Sequence, residues 1–158
     1  MPTISYELSL KIDRNQIKQT EPLVQRLFKT WQELADSGDW ERDVLGREMR
    51  LSFNRNTGLF KFDTAGERDI PDWMADDTYS LLRDIGASAP AGAMVRRTEQ
   101  GAQADFPVGP NREARDIARA RAKVELAVET LSEAQAVVPQ EIADDLGAVI
   151  RKLMALTA

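Results

Sequence analysis

The chain has 158 residues, 42% hydrophobic and 30% charged, with a net charge of −5, which is long enough to bury a core without covalent staples. It contains no cysteine and no histidine, so disulfides, zinc–thiolate sites, cysteine nucleophiles, histidine-based triads and histidine–metal centres are all excluded. The acidic balance works against sequence-independent nucleic-acid binding, which rests on neutralising phosphates, and steers toward basic partners.

Residues 3–12 alternate, with Ile4, Tyr6, Leu8, Leu10 and Ile12 on one side and Ser5, Glu7, Ser9 and Lys11 on the other. That pattern predicts a strand with one buried face. Thr20-Glu21-Pro22 reads as a helix start with Thr20 as N-cap. Leu23, Leu27, Phe28, Trp31 and Leu34 follow as the apolar stripe, and Asp36-Ser37-Gly38-Asp39 ends the helix.

A hairpin comes next. With Arg55-Asn56-Thr57-Gly58 as its loop, Leu51 pairs with Phe62, Phe53 with Phe60 and Asn54 with Leu59, so each apolar residue meets another on the same face. Gly58 is placed to take the left-handed conformation. The Asp63-Thr64-Ala65-Gly66-Glu67 segment that follows resembles the DTAGQE segment of small GTPases, where the aspartate serves magnesium through water and the glycine amide meets the terminal phosphate. A phosphate site also needs a Gly-Lys-Ser/Thr loop upstream, and none of Lys11, Lys18, Lys29 and Lys61 follows a glycine. Nucleotide binding is therefore not expected, and Asp63 and Gly66 read as turn residues leaving the second hairpin strand.

A second helix enters through Ile70-Pro71-Asp72 and stops at Gly86, with Trp73, Tyr79, Leu81, Leu82 and Ile85 as its packing residues. A second hairpin spans residues 93–108, facing Val95 to Phe106, Ala93 to Val108 and Arg96 to Asp105; Pro107 makes its second strand an edge. After Gly109-Pro110 the chain becomes alanine-rich. Asn111 caps a long helix to about Ala136, Val138-Pro139 breaks it, and a last helix runs from Gln140 to Leu156. Ile142, Leu146, Val149, Leu153 and Leu156 follow a 4-3-4-3 spacing, the seam of a helix packed lengthwise on another. Ala114, Ile117, Arg121, Val124, Val128 and Leu131 are its expected counterpart, with Arg121 snorkelling or pairing with Asp144 or Asp145.

The expected fold is α+β, in the order β-α-β-β-α-β-β, with helices on one sheet face and a C-terminal antiparallel helical hairpin. Residues 1–108 form the α+β part and residues 109–158 the hairpin, as an appendage or an integral part of the same domain.

Four groups of residues compete for a functional role. Arg112, Arg115 and Arg119 share a face of the long helix and suit an acidic partner or phosphate; a solvated face balanced by Glu113, Asp116 and Glu125 is the alternative. Asp69, Asp72, Asp76 and Asp77 lack EF-hand spacing and fit a helix start stabilised by its dipole, so no metal or other cofactor is expected. Trp40, flanked by charge, suits an interface anchor. Leu146, Val149 and Leu153 lie on a stripe wider than one partner helix covers, which predicts a homodimer through the C-terminal helices.

The expected function is that of a non-enzymatic protein-binding or regulatory module, such as an inhibitor, immunity or accessory protein. A nucleic-acid accessory protein using the arginine face is the alternative, and a small carboxylate-based enzyme comes third. No leader-like segment and no run approaching the roughly 18 apolar residues of a membrane span make a cytoplasmic protein the expectation.

Overall fold

A computed structural model describes residues 3–36 and 44–157. Its centre is an antiparallel six-stranded sheet. Strands β1 (Ile4–Lys11), β2 (Met49–Phe53), β3 (Leu59–Thr64) and β4 (Ala93–Glu99) lie in the order β2-β3-β1-β4, and β4 also pairs with the short β5 (Ala102–Gln103) and β6 (Phe106–Val108). The first hairpin has the expected register, Leu51 opposite Phe62 and Phe53 opposite Phe60. Gly58 takes φ +78°, and a Cβ there would stand 2.3 Å from the Ile12 carbonyl oxygen, so both conformation and space demand glycine. In the second hairpin Ala93 faces Val108 and Val95 faces Phe106, also as expected.

Helices α1 (Ile17–Leu34) and α3 (Asp72–Gly86) cover one face of the sheet, while the short α2 (Val44–Glu48) leads into β2. The strand alternation supplies the floor of this core with Tyr6, Leu8, Phe60 and Phe62, and the helices supply Leu27, Trp31, Met74 and Leu82. Trp31 meets Phe62 edge-on at 5.9 Å and donates its indole N–H to Thr78 Oγ1 at 3.1 Å, so the largest core side chain is satisfied at both its apolar and polar ends.

Three local expectations are corrected. Thr20 is buried inside α1 rather than capping it; the chain enters through a 3₁₀ turn at Arg14–Gln16, where Asp13 Oδ1 accepts the Asn15 amide. Trp73 and Tyr79 are 47% and 43% exposed, because the inward arc of α3 runs through Met74, Thr78, Leu81, Leu82 and Ile85 instead; Tyr79 packs only one side of its ring, on Phe106 at 4.8 Å. Phe28 likewise lies at the exposed edge of the α1 stripe.

The chain then leaves the sheet for helices α4 (Arg112–Gln135) and α5 (Gln140–Thr157). Asn111 Oδ1 accepts the Ala114 amide at 2.8 Å, the expected cap. Ala114 is buried against Gly92 and Gly109, which fixes the first turn of α4 to the sheet. Farther along, α4 borders the polar face of the sheet across a groove of about 780 Å3, lined by Glu7, Met94 and Arg96 on one side and Ala118, Arg121 and Ala122 on the other.

Candidate protein interface

The α4–α5 pair is antiparallel. Gln135 Nε2 donates to the Ala143 carbonyl at 2.9 Å, and α5 turns Ala143, Gly147 and Ile150 into the contact as its buried residues. A Cβ on Gly147 would stand 2.9 Å from Gln135 Nε2, so the small residue lets the amide lie across the helix. The inter-helix seam is therefore rotated one position from the expected one.

That rotation decides what α5 leaves outside. Ile142, Val149 and Leu156, seven residues apart, are 49%, 45% and 74% exposed, with Leu146 and Leu153 half-buried beside them. The 4-3-4-3 stripe is real, but it forms the outer edge of the hairpin and not its interior. On α4, Ile117 is also exposed, whereas Val124, Val128 and Leu131 are half-buried as seam residues. Arg121 lines the groove toward the sheet, and Asp144 accepts from Gln140. With Gln135 at Ala143, Arg121 lies roughly 20 Å along the helix from Asp144 and Asp145, so the expected pairing with either does not form.

Charge is segregated along α5. Glu141, Asp144 and Asp145 occupy its first turns, and Arg151 and Lys152 follow in the second half. Of these, Glu141 lies in the first turn, where negative charge complements the helix dipole. Asp145 and Lys152 make no ion pair among the described residues and flank the same side of the apolar stripe. This segregation was present in the sequence, but its relation to the exposed stripe appears only once the buried arc of α5 is known.

The remaining candidates are not brought into this site. Arg112 and Arg119 both engage Asp116, at 3.8 and 3.3 Å, while Arg115 is half-buried. Trp40 lies outside the described residues. On the open sheet face Glu7 and Asp63 are register partners, yet each carboxylate has its own arginine, Arg96 at 3.7 Å and Arg50 at 3.0 Å. Arg96 thus pairs with Glu7 rather than Asp105, whose carboxylate accepts the Arg97 amide and the Gln103 side chain. Among the described residues no three carboxylates form a group able to hold a metal ion, and no helix is long and apolar enough to cross a membrane.

The DTAG-like segment has an internal use. Asp63 belongs to β3, and Gly66 takes φ +70° in the loop beyond it. Glu48, buried at the end of α2, accepts the amides of Glu67 and Arg68 through Oε1 at 3.0 and 3.3 Å. The loop amides are thus occupied by a carboxylate of the chain itself. Burial pushes the Glu48 carboxyl above its ordinary value, and the surrounding amides offset part of that rise. Tyr6 is a second displaced acid among the described residues: burial raises its phenol, against the opposing pull of the Arg97 guanidinium.

No family model, curated protein or solved structure matches this chain.

Proposed function

We propose that this chain acts by binding another protein chain through the outer edge of its α4–α5 hairpin, as a non-enzymatic regulator such as an inhibitor, immunity or accessory protein. The observation that carries this reading is the exposure of Ile142, Val149 and Leu156 in one line, while the adjacent arc of the same helix packs on α4. Contiguous apolar surface on a folded chain marks an interaction site, and an i, i+7 line is the form that another helix reads. The catalytic alternative has weaker support. The displaced acids, Glu48 and Tyr6, hold a loop and fill the core, and the adjacent Glu7 and Asp63 are solvated and ion-paired. The arginine face is partly neutralised by Asp116, which weakens the case for gripping phosphate.

A photo-crosslinking amino acid at position 149, compared with one at exposed Ser52 on β2, tests the reading in the source cells. Protein adducts of discrete mass are expected from position 149 and not from position 52. Adducts from neither position, or equally from both, would overturn it.

A further inference from the structure

Resting on that protein-binding reading, we infer that the partner of the α5 edge is a second copy of this chain, docked antiparallel about a two-fold axis at Val149. In that register the stripe meets its own copy along its whole length. Ile142 and Leu156 lie seven residues on either side of Val149, so each meets the other across the axis. Leu146 of one copy comes beside Leu153 of the other, and the two Val149 side chains face each other. A 4-3-4-3 line of this kind is what two helices interdigitate along their length.

Charge selects the direction. In the antiparallel register Asp145 of each copy lies against Lys152 of the other, giving two symmetry-related opposite-charge pairs from residues that have no ion-pair partner among the described residues. A parallel pair about a two-fold along the helices would carry the flank of Asp145 and Lys152 to opposite sides of the seam in the two copies, so neither charge would meet its complement. The apolar line supplies the attraction, and the exposed ion pairs, each modest, choose between directions. An isologous contact of this kind closes on itself, so it stops at a dimer.

The lack of native cysteine makes the register directly testable in the full chain. Sedimentation at high micromolar concentration is expected to show a dimer of the 17.7 kDa chain. Under mild oxidation V149C should form a disulfide-linked dimer with itself. I142C alone should not, whereas I142C mixed with L156C should. Should V149C fail to fold, as judged by circular dichroism, the I142C and L156C mixture carries the same test. D145K and K152D should each weaken self-association by about tenfold, and mixing the two variants should restore it as a heterodimer, which a merely structural role for either residue would not produce. A dimer in which V149C and the I142C–L156C mixture both fail to crosslink overturns the register. A monomer whose position 149 still crosslinks to another protein overturns the second copy and leaves the protein-binding reading standing. A monomer with no adduct overturns both.

Discussion

Around Trp31 the sheet and its two covering helices bury Tyr6, Phe60, Phe62, Met74 and Leu82 to 1% exposure or less, whereas between α4 and α5 the buried side chains are Ala143 and Ile150, with Gly147 between them. The first region closes a large interior with aromatic and long aliphatic groups, and the apolar groups its helices leave out, Phe28, Trp73 and Tyr79, are scattered at its rim. The second joins its helices by close approach of small residues, and its larger side chains are left at the rim. Burial of apolar area is the main driving term in both cases, so the hairpin gains less from its own packing and has more to gain from an outside partner.

The largest effect should come from the core. Trp31→Ala removes the edge contact with Phe62 and the bond to Thr78, and is expected to cost about 3–5 kcal/mol in urea unfolding. Gly58→Val should follow at about 1–3 kcal/mol, since it forces a β-branched residue to positive φ beside the Ile12 carbonyl; the melting temperature reports it. Ile150→Ala should cost about 2 kcal/mol, the low end for a buried aliphatic, and hydrogen exchange should place the lost protection in α4 and α5. If that loss spreads evenly into β1 and β3, the two regions unfold as one and the contrast drawn between them is wrong.

A smaller effect is expected at Glu48. Its carboxyl is raised in the fold above the ordinary value of 4.5, so its contribution is complete below that value and is lost as pH rises through the folded value. Glu48→Gln keeps an acceptor for the Glu67 and Arg68 amides and removes the titration. Relative to the native chain, the variant should therefore become more stable on going from pH 4 to neutral pH, as read by paired melting curves. Smallest of all, Arg112→Ala should change stability by less than about 0.5 kcal/mol, because its pair with Asp116 is solvent-exposed.

The sheet was largely legible from the chain because a two-residue period leaves little choice of face. Once Leu51 was matched to Phe62, every other pairing in that hairpin followed. Helix phase was less determinate. Trp73 and Met74 are neighbours, 100° apart on the helix, and a pattern of hydrophobic residues does not say which of them looks inward. The same ambiguity shifted the seam of α5 from Val149 to Ile150, because alanine and glycine contribute the contact there and barely register as hydrophobic. The Glu48 carboxylate under the loop amides had no local signal, since its partners lie some twenty residues away.

The central position of β1 has a consequence for how the protein is made. Its partners are β3 and β4, and Ile4 finally meets Glu99. At a synthesis rate of roughly 5–20 residues per second, β1 leaves the ribosome roughly 5–20 seconds before its second neighbour exists. Throughout that interval the alternating apolar row from Ile4 to Leu10 is a strand with an open edge, the form most prone to pair with the wrong chain. Neither fast local helices nor the α4–α5 hairpin can shorten that wait, so crowding on polysomes is the condition under which this fold is most exposed to misassembly.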